Sequence, residues 1–402
     1  MDRVGHQRRL SNRNRPWTLT TRKPSTRLIH TRGTRLDPPT VNPPLERAST
    51  LIFSDPEALY SSKPGYGRMG LTVHRELEAG LAALEGAEHV RLTMNGLSAA
   101  ALAIGSVLES GDHALVQDSI YGPTRRFCER RLKAMGISIT RFSARADATT
   151  LATYIRPETK AIILESPGSL TFELPDTQMM VGLAAEHGLI TILDNTWGAG
   201  LFHKPLTLGV DISIQALTKY VVGHADAFGG AVMTRRRDLA TKIEACSDDW
   251  GIALGPEEAY TALRGLRTLE TRLSRHQQSG LALAEWLAAR PEVARVIHPA
   301  RPDHPDHAIW ERDFTGACGL FGVVFKPVPE AKLNAMLSAL ELFGMGFSWG
   351  GYESLIIPCD AQLNRAIAPD PPFEGPLLRI HTGLEAVEDL QADLAQGFAL
   401  LT

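Results

Sequence analysis

A chain of 402 residues is long for a single hydrophobic core and points to two domains or more. Its 44% hydrophobic and 22% charged residues are those of an ordinary globular protein, and a formal charge of -3 argues against nucleic acid as the main partner. No apolar run is long enough to span a membrane, and Cys128, Cys246, Cys318 and Cys359 stand too far apart for a CxxC pair or a zinc site, so no metal and reduced thiols in a cytoplasm are expected.

The N-terminal stretch departs from that average. Up to Arg35, Asp2 is the single acid among ten arginines and lysines. Such a segment resembles a transit peptide but lacks the apolar core of a secretory signal. Residues 1–33 are expected to form a disordered basic tail outside the fold. Over residues 34–70 prolines take over, with Pro38, Pro39, Pro43, Pro44 and Pro56. They predict an extended arm with little regular structure, of the kind that lies against a neighbouring subunit. Gly65, Gly67 and Gly70 let a loop there bring Tyr66 and Arg68 close to another surface.

Beyond the arm, His74–Glu85 carries Leu77, Leu81 and Leu84 on one helical face, closed by Gly86. Val90–Thr93 reads as a strand, and Asn95-Gly96-Leu97-Ser98 as the turn into a helix over Ala99–Leu108. A strand over His113–Gln117, a helix over Pro123–Met135 and strands over Ile137–Phe142 and Ala161–Glu165 follow. Thr177–His187 is a helix stopped by Gly188; Leu189–Leu193, Val210–Ile214 and Ala231–Thr234 are strands. Apolar strands alternating with helices predict an α/β fold with a large, mostly parallel sheet covered on both faces. Helical segments then run from Pro256 to Ala289. Strands at Ala294–His298, Leu320–Phe325 and Arg379–Gly383, with helices at Ala331–Leu340 and Glu388–Leu401, make a smaller C-terminal α/β unit. The expected division is 71–266 for the first domain and 267–402 for the second.

Ligands of such sheets bind beyond the carboxyl ends of the strands, where Asn95, Glu165, Asp194 and Lys219 all fall. Lys219 follows a buried strand beside Thr218; burial there favours a neutral amine able to form a Schiff base with a carbonyl. The Asn95-Gly96 turn offers free N–H groups and a helix dipole to a phosphate, without the dinucleotide pattern GxGxxG. Asp194 ends a buried strand and needs a partner, such as a protonated ring nitrogen. Tyr121 can stack on a planar ligand. Arg379, inside an apolar strand, suits a carboxylate. Each also has a purely structural reading: a common helix start, a cap or arginine pair, a loop anchor, a surface lysine. Taken together they are the set required by pyridoxal 5'-phosphate acting on an amino acid.

Asp194-Asn-Thr-Trp197, Ser213-Ile-Gln-Ala-Leu-Thr-Lys-Tyr-Val-Val-Gly-His224, Phe347-Ser-Trp-Gly-Gly-Tyr-Glu-Ser-Leu355 and Leu377-Leu-Arg-Ile-His-Thr-Gly-Leu-Glu385 resemble the Cys/Met-metabolism family of pyridoxal-phosphate enzymes. Trp349 is more specific for its cystathionine β-lyase branch than for its γ-synthases and γ-lyases. The resemblance implies the fold-type I transferase architecture (aspartate aminotransferase-like). It implies that Lys219 carries the cofactor and shuttles protons, that Asp194 pairs with the pyridine nitrogen, and that Tyr121 stacks on the ring and helps handle the leaving sulfur. Gly96, Leu97 and Thr218 would bind the phosphate, joined by Tyr66 and Arg68 from a neighbouring subunit. Arg379, with Ser348 and Trp349, would hold the substrate carboxylate. Ala216 departs from the family, where serine is frequent, and removes one phosphate donor. The implied activity is a carbon–sulfur lyase of methionine biosynthesis, splitting L-cystathionine, an amino-acid thioether, by β-elimination to homocysteine, pyruvate and ammonia. A γ-lyase, a γ-synthase or a cysteine desulfhydrase are the alternatives, with a non-catalytic cofactor-binding regulator behind them. The implied assembly is a cytoplasmic homotetramer, built from dimers that share active sites.

Overall fold

The computed structural model describes residues 23–30, 40–61, 64–363, 365–369 and 371–401. Most of the expected basic tail, residues 1–22 and 31–33, lies outside these. Where the tail is described, the expectation of a segment outside the fold fails. Pro24–Ile29 is a short helix, and Leu28 is only 1% exposed, within the largest core cluster beside Leu77, Leu81 and Leu84. Arg27 Nη2 donates to Ala83 O at 2.6 Å and ties this turn to the helix Thr72–Glu85. One buried leucine and one charged donor to a backbone acceptor outweigh the basic composition. The described part of the arm is irregular up to the helix Pro56–Ser61, none of whose residues is buried.

The larger sheet has seven strands: His89–Thr93 (β1), His113–Gln117 (β2), Ser138–Phe142 (β3), Thr159–Glu165 (β4), Ile190–Asp194 (β5), Ile212–Gln215 (β6) and Gly230–Thr234 (β7). Their order is β1-β7-β6-β5-β4-β2-β3. The pairs β6–β5, β5–β4, β4–β2 and β2–β3 are parallel, while β7 runs antiparallel to both β6 and β1. Strand residues alternate between two buried faces: Ala114, Val116, Ala161 and Ile163 enter one core cluster, Leu115, Ile162 and Leu164 the other. Burial on both faces is why these strands are apolar without interruption.

A smaller antiparallel sheet joins Val293–Ile297 (β8), Leu320–Phe325 (β9), Leu355–Pro358 (β10) and Leu377–His381 (β11) in the order β10-β11-β9-β8. The helix Leu269–Ala288 bridges the two halves, with Leu269 and Leu273 in the largest cluster and Leu283 and Leu287 in the core of the second sheet. Among the described residues no helix is long and apolar enough to cross a membrane.

Several elements differ from expectation: the helices Ala148–Ala152, Arg237–Asp249 and His307–Asp313 were not anticipated, and three further departures have identifiable local causes. The helix after β1 spans Gly96–Gly105 and starts three residues early, because Asn95 acts as its cap by accepting from the Ser98 N–H. The helix expected over Pro123–Met135 is α-helical over Gly122–Arg126 and then widens to a π-turn over Phe127–Leu132. Strand β10 was not anticipated. It is a four-residue edge strand ending in Pro358, too short to show a period.

Candidate active site

The carboxyl ends of β2, β4, β5 and β6 open, with the start of the helix Gly96–Gly105, onto a cavity of about 470 Å³. Lys219, Asp194, Tyr121, Thr218, Gly96, Leu97, Ser348, Trp349 and Arg379 all line it. The second sheet contributes from the opposite side through β11 and the loop before β10.

Lys219 lies in a turn closed by its N–H on Ala216 O at 3.1 Å and by Gly223 N–H on its own carbonyl at 2.8 Å. Its Nζ donates to Ser348 Oγ at 2.7 Å and stands 5.4 Å from the centre of the Trp349 ring. Burial lowers its pKa to about 8, Arg379 adds to the effect, and Asp194 opposes it. Ser348 adopts φ +77° and Gly350 φ +85°. A Cβ on Gly350 would come within 2.9 Å of Lys219 C and Tyr220 N, so glycine there lets the loop lie directly on the lysine turn.

Asp194 ends β5. Its Oδ1 accepts from Thr196 N at 3.0 Å and Thr196 Oγ1 at 2.5 Å. Burial raises its pKa, while the Thr196 donors and Lys219 oppose the rise. Its Oδ2 has no hydrogen-bond partner among the described residues. At the helix start, Asn95 and Ser98 cap each other, which leaves the N–H groups of Gly96 and Leu97 without a partner among the described residues. A Cβ on Gly96 would meet the Ala216 methyl at 2.5 Å, so the helix start and the lysine strand pack here without room for a side chain. Thr218 Oγ1 donates to Gly229 O at 3.2 Å and accepts from Gly229 N at 3.1 Å.

Tyr121 is half-exposed, and its N–H donates to Glu165 Oε2 at 2.5 Å. Burial and then the Glu165 and Asp194 charges raise its phenol pKa, against Arg126 and Arg379. Arg379, in β11, donates from Nη2 to Ser348 O at 2.8 Å, and burial lowers its pKa.

Tyr66 and Arg68 are not brought to this cavity by the chain that carries them. Tyr66 is 47% exposed, and Arg68 Nη1 lies 3.8 Å from Asp248 Oδ1. The turn between them is fixed by Gly67, whose N–H donates to Ser49 O at 2.8 Å and whose Cβ would overlap Ala48 O.

Sequence reasoning assigned no role to Thr196, Trp197 or Phe228, which also line the cavity, and noted Glu165 only as a strand end. Thr196 lies inside a quoted motif and could have been found as a cap on Asp194. Phe228 follows no period and carried no signal.

The family described as "Cys/Met metabolism PLP-dependent enzyme" is matched over residues 25–399. The chain belongs to this family. Its cofactor is pyridoxal 5'-phosphate. Among members of the family, the cystathionine beta-lyase of Salmonella typhimurium is 42% identical over 371 residues, 89% of this chain and 93% of that protein. The cystathionine beta-lyase of Bordetella avium is 41% identical over 368 residues, 89% of this chain and 91% of that one. The crystal structure of metB from Corynebacterium glutamicum superposes with a TM-score of 0.88 at 29% identity, covering 95% of this chain and 99% of that chain. The cavity's chemistry fits the family's cofactor. Two unpartnered N–H groups at a helix start suit a phosphate. An unpartnered carboxylate oxygen on Asp194 suits a ring nitrogen, and a largely desolvated amine suits an aldehyde.

Proposed function

We propose that this enzyme catalyses β-elimination of L-cystathionine to homocysteine, pyruvate and ammonia. The observation that carries this reading is the cavity itself: Lys219, Asp194, Tyr121 and Arg379 come from four separate elements and converge on one space, with Trp349 over the Lys219 amine. When bound, the cofactor supplies a sink for the electron pair left at the substrate Cα. Gly96, Leu97 and Thr218 would hold its phosphate, and Asp194 its protonated ring nitrogen. Tyr66 and Arg68 would reach the phosphate in a second copy of the chain.

The Arg379 guanidinium holds the substrate α-carboxylate, next to the Ser348 main chain it already binds. Lys219, freed as a neutral amine, takes the Cα proton. As the Cβ–S bond breaks, its electron pair leaves with sulfur, and a proton from Lys219 or Tyr121 converts the thiolate to a thiol. Hydrolysis of what remains of the substrate gives pyruvate and ammonia. Ser348 positions the amine between these steps through its 2.7 Å hydrogen bond. We place the enzyme in the cytoplasm as a homotetramer of dimers. All four cysteines are free, and the exposed arm, with Ile52 at 90% and Tyr60 at 87%, offers apolar surface to a second copy.

Lys219→Ala should lose both pyruvate release and the cofactor band near ~420 nm. Undiminished pyruvate from that variant would overturn the assignment. Release of 2-oxobutyrate instead of pyruvate by the parent enzyme would turn the reading to γ-elimination.

A further inference from the structure

Glu165 is a cavity carboxylate that the reaction above does not use. It ends β4 as Asp194 ends β5, and the two are partners in the register of adjacent parallel strands. Two carboxylates therefore open side by side onto one space. Like charges so placed do not both ionise readily. The hydrogen bonds decide which one stays charged. Asp194 accepts two donors from Thr196 and feels the Lys219 ammonium. The Glu165 carboxyl accepts one N–H, that of Tyr121. Burial, and then the Asp194 charge, push the Glu165 carboxyl well up. The other titratable groups on the cavity are Tyr121, Lys219 and Arg379.

The Glu165 main chain is itself fixed. Gln117 Oε1 accepts from Glu165 N at 3.2 Å, and Gln117 Nε2 donates to Glu165 O at 2.9 Å. The side chain then reaches the main chain of Tyr121, the residue that caps the helix Gly122–Arg126. That bond leaves the tyrosine ring directed by a strand end rather than by a free loop.

We propose that Glu165 is the uncharged member of a carboxylate pair with Asp194, and that it is a positioning residue which tethers Tyr121 over the cofactor. The inference rests on the roles proposed for Asp194 and Tyr121. A neutral Glu165 leaves Asp194 as the anion that faces the ring nitrogen, and the site avoids a second buried negative charge.

The test is spectroscopic and uses the holoenzyme. The visible absorbance and circular dichroism near ~420 nm are titrated from about pH 6 to about pH 10 for the parent, Glu165→Gln and Glu165→Ala. Gln reproduces a neutral acid in shape and keeps the acceptor. Its titration midpoint should match the parent within about 0.3 pH units, with the same dichroism. Glu165→Ala should also keep the midpoint but lose about half or more of the visible dichroism, because the tyrosine is no longer held. A midpoint moved by about 1 unit or more in Glu165→Gln would show that the parent residue is charged and overturn the pairing. Unchanged dichroism in Glu165→Ala would overturn the tether. Neither readout needs turnover, so failure of the lyase reading, seen as absent pyruvate with normal spectra, is distinguishable from failure of this one.

Discussion

The Lys219 ammonium keeps its proton only up to a pH of about 8 in the folded chain, against an ordinary value of 10.5. Between those values the unfolded chain binds more protons, so the stability of the apoenzyme rises with pH across that window. Below it both states are protonated and the full burial penalty remains. Lys219→Met should therefore make the apoenzyme more stable near pH 7, by about 1–3 kcal/mol. The gain should shrink as pH approaches about 10.5, where the lysine is neutral in both states. Denaturant unfolding of the two apoproteins at both pH values measures this, and a variant no more stable near pH 7 contradicts it. The same desolvation makes cofactor uptake by the apoenzyme accelerate through a pH of about 8, as the neutral amine accumulates. Stopped-flow absorbance would follow it. Lys219, Asp194, Tyr121 and Arg379 were legible in the sequence because each is a chemically conspicuous type placed after or within an apolar strand. Glu165 is the same type as Asp194 and ends the neighbouring strand, yet its meaning depends on strand register, which the sequence does not display.

Elements were legible where hydrophobic period and a stop signal agreed. The helix Thr177–His187, closed by Gly188 in the left-handed region, and the strands His113–Gln117 and Leu320–Phe325 have the boundaries expected of them. Departures came where a local hydrogen bond outranked the period, as with Asn95, where the element was too short to have one, as with β10, or where the apolar face was thin, as in the helix Arg237–Asp249, which buries only Leu239, Ile243 and Ser247. The loop Phe347–Gly351 was legible as a motif but not as geometry. Its glycine at 350 is required twice over, by φ +85° and by the contact with the Lys219 and Tyr220 main chain. Gly350→Ala should destabilise the protein by roughly 2 kcal/mol or more and displace the lysine turn. Thermal unfolding reads the first effect and a shifted visible band in the holoenzyme the second. A variant with parent-like melting and spectrum would refute this account.

Across the whole molecule, two sheets meet over one cavity, and charged side chains far apart in sequence lock them together. Arg365, in the loop between β10 and β11, donates to Asp118 at 3.2 Å and to Glu173 at 3.0 Å, while the Ile367 N–H also reaches Asp118. Asp118 directly follows β2, three residues before Tyr121, and Glu173 follows the cavity-lining Phe172. Nothing in the sequence pairs residues 247 positions apart, so this contact between the two halves was not legible. The basic N-terminal segment misled for a related reason. Composition describes an average, whereas burial of Leu28 depends on packing against the helices Thr72–Glu85 and Leu269–Ala288, both distant in sequence.

The turn that Gly67 presses against Ala48 and Ser49 holds Tyr66 and Arg68 away from the cavity of their own chain. On the proposed shared-site assembly, defects in the two places become separable by genetics. A chain with Lys219→Ala and a chain with Arg68→Ala would each be inactive alone, yet a mixed pair would contain one intact site, with the lysine of one chain and the arginine of the other. Random reassociation of equal amounts should restore about a quarter of the parent's sites. Two null alleles expressed in one cell would then complement each other, and either allele alone would not.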